Sequence, residues 1–264
     1  MINYDIKASS HAGCKRTENQ DRYLISSKYD QDDSKGCLIA VADGMGGHKG
    51  GGFAAQLAVT DLEREYYKNS SKNIPEALIK AFETVNQKIY LIAKENHKYE
   101  GMGTTLTALV LKENHFYFAH VGDSRGYIVT PKNIQQFTQD HSVVEELIQK
   151  GEITENEAEN HPDRNIITRA IGTDPDVTVD ISQKPLKLKS GSYVLICSDG
   201  LFKVIQKQEI KDIVHMYQSP KDICHFLIEL ANERGGPDNI TVAVAIQNTV
   251  APKTFTEKIK EFFI

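Results

Sequence analysis

The sequence predicts an α+β chain, on three observations. Short apolar runs of strand length lie at 38–42, 106–111, 116–121 and 193–198, and three of them stop at a turn that carries an aspartate. Two long stretches, 52–67 and 75–94, repeat their apolar residues at helical spacing. Two further helical segments, near 207–217 and 220–233, precede a last apolar run at 240–246.

The chain has 264 residues and a net charge of -5. That length suits one large domain or two small ones, with ample room for a core. Mild acidity speaks against a nucleic-acid-binding surface. No apolar run reaches the length of a membrane span and no signal peptide opens the chain. This predicts a cytoplasmic protein without stable membrane insertion. Cys14, Cys37, Cys197 and Cys224 form no Cys-x-x-Cys pair, which fits a reducing compartment and no zinc site. Cys37 and Cys197 sit in or beside apolar runs and are read as core.

Residues 4–10 and 21–27 read as short strands around a polar turn that holds Arg16, Asn19, Gln20 and Asp21. Arg16 is either a solvated surface charge or a planar fork for a phosphate. The run 38–42 is a buried strand, and Asp43-Gly44-Met45-Gly46-Gly47-His48 is a glycine-rich turn behind it. The strand end presents one carboxylate and the Gly44 carbonyl, the oxygen donors that Mg²⁺ and Mn²⁺ prefer. A lone Asp-Gly is usually a hairpin turn, but here the arrangement recurs.

The helix over 52–67 carries Phe53, Leu57, Leu62 and Tyr66 on one face. The next, opened by Pro75, carries Leu78, Phe82, Val85, Ile89 and Ile92. Both stripes are core. Gly101-Met102-Gly103-Thr104-Thr105 then leads into a β-hairpin, 106–111 and 116–121, whose second strand runs into Gly122-Asp123-Ser124-Arg125. Residues 126–130 continue as a strand. His120 is read as packing at the strand end, in preference to a metal role.

Residues 140–172 change character. Ser142 caps a helix bearing Val143, Val144, Leu147 and Ile148, and Gly151 stops it. Thr154-Glu155-Asn156-Glu157 is a capping box for a second short helix, broken at His161-Pro162. The segment 142–170 is thus an excursion on the domain, of a length that often serves as a lid or recognition element. Residues 177–189 are extended and skirt the solvent. Ser219, Pro220 and Asp222 cap the helix at 220–233. After Pro252, Phe255, Ile259, Phe262 and Phe263 stand at near-helical spacing, for packing on the domain or for a partner or membrane surface. The chain therefore divides into a domain, 1–249, and a tail, 250–264.

Asp43, Asp123 and Asp199 each close an apolar run, and Asp238 opens one. Strands that share a sheet or a sandwich can bring these ends to one rim. Four carboxylates there repel strongly unless cations lie between them. An all-oxygen set without a His or Cys cluster fits a two-metal site that activates water and steadies a phosphoryl group. These residues alone point to a metal-dependent hydrolase of phosphate esters.

Seven motifs extend this. They are Arg16-x-x-Asn19-Gln20-Asp21, Val41-Ala42-Asp43-Gly44-Met45-Gly46-Gly47-His48, Gly101-Met102-Gly103-Thr104-Thr105, Val121-Gly122-Asp123-Ser124-Arg125, Asp140-His141-Ser142, Ser198-Asp199-Gly200 and Gly236-Pro237-Asp238-Asn239. In this order, over about residues 4–247, they resemble the metal-dependent serine/threonine protein phosphatases of the type 2C family in their compact bacterial form. The resemblance implies a four-layer α-β-β-α sandwich, two antiparallel β-sheets flanked by helices, with 142–170 as a flap beside the site. It implies hydrolysis of phosphoserine and phosphothreonine in proteins, with two core Mn²⁺ or Mg²⁺ ions and a third, weaker one.

Carried over by position, Asp43 would bridge the core ions and the Gly44 carbonyl would bind one of them. Asp199 and Asp238 would hold the other, and Asp123 with Asp199 the third. Arg16 would grip the substrate phosphate, and Asp21, Thr105 and Asn239 would orient ligands and waters. The implied mechanism is in-line attack by a metal-bridging water or hydroxide, without a phosphoenzyme. The implied partners of this monomeric enzyme are phosphoproteins, among them a cognate bacterial Ser/Thr kinase and its substrates.

Two positions depart from the eukaryotic pattern. Gln20 stands where an acid is usual, which implies a more loosely held second ion. Met45 stands where a histidine is often proposed as general acid, so a water is the expected proton donor and His48 a candidate substitute. The competing readings are a catalytically silent phosphoprotein-binding module, disfavoured by the intact aspartates, and a two-metal nuclease, which lacks a basic groove.

Overall fold

The computed structural model describes residues 3–28 and 33–248. The His48 side chain and the tail at 250–264 lie outside the described residues. Strands β1 (Asn3–His11) and β2 (Arg22–Ile25) flank the first polar turn, and β3 (Cys37–Ala42) leads through Asp43 into β4 (Gly44–Met45). Helices α1 (Gly47–Lys68) and α2 (Ile74–Glu95) follow, then β5 (Gly103–Thr104), the hairpin β6 (Leu106–Lys112) and β7 (His115–Val121), β8 (Arg125–Val129) and β9 (Ile134–Gln136). The segment 142–170 holds α3 (Val143–Gln149) and α4 (Glu155–Glu159). The chain continues through β10 (Asp180–Ile181), β11 (Leu186–Lys187), β12 (Tyr193–Cys197), α5 (Asp199–Phe202), α6 (Lys207–Tyr217), α7 (Pro220–Glu233) and β13 (Ile240–Asn248).

All strand pairings are antiparallel among the described residues. One sheet has the order β1-β13-β12-β8-β9, and the other β10-β7-β6-β3-β2 with β11 also on β7. The pleat decides the layers, because alternate side chains leave opposite faces of a strand. In β3, Leu38, Ala40 and Ala42 pack with Leu62 of α1 and Phe82 of α2, while Cys37, Ile39 and Val41 face the other sheet. There they meet Val194 and Ile196 of β12 and Ala243 and Ala245 of β13. The opposite faces of those strands, Leu195, Cys197, Val242 and Val244, pack on Ile210 and Val214 of α6 and Ile223 and Leu227 of α7. The result is the four-layer α-β-β-α sandwich.

Three elements differ from the sequence expectation. Helix α1 starts at Gly47, not near 52, and takes the glycine run into its first turns. Glycine is a poor helix former, which makes the run read as a turn. It is required because the helix start lies against β4: a Cβ on Gly44 would stand 2.2 Å from the Gly51 carbonyl oxygen. Residues 177–189 do not only skirt the solvent, since β10 and β11 add to the edge of β7. Asp199 opens a one-turn helix, where Asp-Gly reads as a turn. Ser142 and Thr154 cap α3 and α4 as expected, whereas Ser219 makes no side-chain capping bond.

Candidate metal centre

Strand polarity explains why distant aspartates meet. β3 and β7 are both antiparallel to β6, so they run the same way and finish at one rim with Asp43 and Asp123. Arg22 opposes Ala42, which sets Asp21 beside Asp43. In the facing sheet the end of β12 opposes the start of β13, Cys197 against Val242, so Asp199 and Asp238 also share a rim. His11 opposes Ile240, which lays the 12–21 turn, with Arg16, across from Asp238.

The carboxylates of the two sheets act on one another. The Asp43 carboxyl is pushed well above the usual range, first by loss of water and then by the charges of Asp21, Asp199, Asp123 and Asp238. Burial pushes Asp21 up to about 6, although it accepts a hydrogen bond from the Ser198 hydroxyl at 2.7 Å. Burial, with the charges of Asp199 and Asp140, pushes Asp123 up to about 7. Asp21 Oδ1, Asp123 Oδ1 and Asp199 Oδ1 are buried without a hydrogen-bond partner. Asp199 repels both Asp21 and Asp123, and orphaned carboxylate oxygens are hard donors of the kind a divalent cation satisfies. The residues present therefore fit the metal ions that the fold implies.

Among the described residues, no three acidic, histidine or cysteine side chains converge into a finished cation cage. Two cationic side chains hold two of the acids instead. Arg16 forms a two-point pair with Asp238, Nη2 to Oδ2 and Nε to Oδ1, both at 2.9 Å. The Lys203 ammonium lies 2.5 Å from Asp199 Oδ2 and 2.9 Å from Asn165 Oδ1 in the 142–170 segment.

Neutral groups brace the acids. The Asp43 N–H donates to Thr105 Oγ1 at 2.9 Å, and its carbonyl accepts from Thr104 Oγ1 at 2.8 Å and from the Thr105 N–H at 2.9 Å. Thr105 Oγ1 in turn meets Ser124 Oγ at 2.8 Å. Asn239 joins the loops: its Nδ2 donates to the Ala12 and Glu18 carbonyls at 2.9 Å each, and its Oδ1 accepts from the Gln20 N–H at 2.8 Å. Gln20 packs against the start of α1, where a Cβ on Gly51 would lie 2.8 Å from its Oε1.

His120 is buried, with Thr107 on Nδ1 at 2.8 Å and the Gln139 carbonyl on Nε2 at 3.0 Å, and burial drops it to about 3. It is a neutral core histidine. The start of the 142–170 segment is tied down next to Asp123: the His141 N–H donates to the Gly122 carbonyl at 2.8 Å, and the Gly122 N–H returns to His141 Nδ1 at 3.0 Å. Lys203 belongs to this site without standing out in the sequence, while Ser198 and Ser124, noted there only as members of motifs, brace Asp21 and Thr105. The signal for Lys203 is its place four residues after Asp199, which becomes visible once 199–202 is known to be helical.

The chain is similar to known proteins over most of its length. The family described as protein phosphatase 2C matches residues 10–238. Protein phosphatase PhpP of Streptococcus pneumoniae is 38% identical over 247 residues, 92% of this chain and 98% of that protein. The serine/threonine phosphatase of S. agalactiae superposes with a TM-score of 0.86 at 36% identity, covering 93% of this chain and 100% of that one. The catalytic domain of the serine threonine protein phosphatase PstP, in complex with 2 manganese ions, superposes with a TM-score of 0.79 at 32% identity, covering 94% and 99%. With that match over most of its length, on the sandwich and the acidic rim described above, the chain belongs to the protein phosphatase 2C family.

Proposed function

We propose that this chain removes phosphate from phosphoserine and phosphothreonine in proteins. Asp43, the Gly44 carbonyl, Asp199 and Asp238 are the residues that would hold two divalent cations, Mn²⁺ or Mg²⁺, with Asp123 on the outer side. The observation that carries this reading is the cluster of five interacting acids with three buried, unpartnered oxygens. Bound divalent cations would supply a water nucleophile of lowered pKa and positive charge against the phosphoryl oxygens.

The chain's own groups prepare the rest. Thr104 and Thr105 fix the Asp43 backbone and so the point from which its side chain projects. Ser198 orients Asp21. Arg16, with 57% of its side chain exposed, offers a planar fork matched to a phosphate, which exchanges Asp238 for the substrate. Met45 has no proton to give, so the departing serine or threonine oxygen takes its proton from solvent. No side-chain nucleophile enters this scheme, and no phosphoenzyme forms.

The same reading makes the protein a monomeric cytoplasmic enzyme that opposes a Ser/Thr kinase. No helix among the described residues is long and apolar enough to cross a membrane. The test is phosphate release from a phosphothreonine peptide with Mn²⁺. EDTA should abolish it, and no labelled phosphate should remain on the protein after quenching. Release that persists in EDTA removes the proposal.

A further inference from the structure

Lys203 stands just beyond α5 and joins two parts of the molecule. Its ammonium bonds at once to Asp199 Oδ2 and to the flap residue Asn165. Asp199 and Asp123 are more than nine-tenths buried, with 8% and 6% of their surface exposed, and each keeps one unpartnered oxygen. The Lys203 charge reaches both. It opposes the upward push on Asp123, and Asp199, Asp123 and Asp238 together hold the ammonium charged against its own burial.

We propose that Lys203 is the resident cation of the Asp123–Asp199 side of the site, latched there by Asn165 of the flap. A divalent ion can take this side only by displacing the lysine, and that displacement unlatches the flap. This rests on the reading of the site as a metal centre. An ammonium and a divalent ion on one carboxylate repel strongly in a poorly hydrated place. An ammonium is also a compact charge on a flexible stem, able to leave and return. The third, weaker ion implied for Asp123 and Asp199 therefore meets a competitor built into this chain, while the core ions meet Asp43, the unpartnered Asp199 Oδ1 and an Asp238 that Arg16, not Lys203, holds.

Equilibrium dialysis of the full chain against Mn²⁺, with hydrogen exchange over 160–169, tests this. Lys203→Met should bind one further Mn²⁺ per chain, or hold its weakest ion at least roughly tenfold more tightly. Asn165→Ala keeps the lysine and loses the latch, so it should shift binding the same way by less. It also serves if Lys203→Met folds poorly. Lys203→Arg should stay near the unaltered chain. In the unaltered chain, flap exchange should quicken only when Mn²⁺ is raised far enough to fill the weakest site, and in Lys203→Met it should be fast throughout. Unchanged Mn²⁺ binding in both Lys203→Met and Asn165→Ala overturns the proposal. Failure of the unaltered chain to bind Mn²⁺ at all overturns the metal reading beneath it.

Discussion

Arg16 closes its guanidinium on the carboxylate of Asp238, with both contacts at 2.9 Å across 222 residues of sequence. The β1–β13 ladder makes this possible by ending where the 12–21 turn begins. The acid proposed to hold a cation and the base proposed to hold phosphate are thus paired with each other. On that proposal, substrate and metal would each have to separate the pair, and each would help the other by doing so.

Replacing Arg16 with Ala should therefore split two readouts. The KM for a phosphopeptide should rise by about ten- to a hundredfold, the worth of a charge-assisted bond. Mn²⁺ affinity should hold or improve, because Asp238 is released. Steady-state kinetics beside Mn²⁺ titration checks this. A fall in Mn²⁺ affinity with an unchanged KM contradicts it.

Thr105 holds the Asp43 N–H and the Ser124 hydroxyl from a fully buried position. Thr105→Val leaves both unsatisfied and should cost about 1–3 kcal/mol. Thermal unfolding should show a lower Tm, and Thr105→Ser should recover most of it.

Protons and cations compete for the same oxygens. Asp21 and Asp123 are pushed up to about 6 and about 7, and Asp43 is raised as well, by burial first and by like charges second. In the unfolded chain these carboxyls ionise near pH 4. The folded, metal-free protein thus binds more protons than the unfolded chain between about pH 4 and 7, and its stability from these groups falls across that window. Cations need the ionised form. The Tm difference between Mn²⁺ and EDTA samples should be small at about pH 5 and grow up to about pH 7.5. A difference that is flat or shrinks with pH contradicts the assignment.

Much of this was legible in the sequence, for a physical reason. Burial on both faces makes β3, β12 and β13 continuous apolar runs, so an aspartate at such an end stands out. Helices α6 and α7 carry clear periodicity and start at the residues expected. Capping chemistry located α3 and α4. What escaped depends on contacts between distant segments. The start of α1 is set by its close approach to β4, and β10 and β11 exist only because β7 offers an edge. Lys203 looks like any surface lysine until Asp199 and Asn165 are placed beside it. Asp21, expected only in a supporting role, carries an orphaned buried oxygen next to Asp43.

The close approach of Gly44 to Gly51 gives a purely steric test. Gly44→Ala places a Cβ 2.2 Å from a main-chain oxygen, which only a backbone shift relieves. It should destabilise the fold by several kcal/mol, or about that much strain should appear as a displaced α1 with weakened Mn²⁺ binding. Urea unfolding compared with Gly52→Ala in α1, where the nearest atom is 3.6 Å away, gives the reference for a methyl group added without a clash.

Mn²⁺ uptake by the unaltered chain and by Asp43→Asn, measured beside hydrolysis of a phosphothreonine peptide, reaches furthest into the account. Two tightly held ions are expected in the first. In the second, their loss should come with a drop in turnover of about a hundredfold or more. Equal uptake by both proteins, or hydrolysis indifferent to the substitution, would contradict the idea that acids from separate strands share divalent ions here.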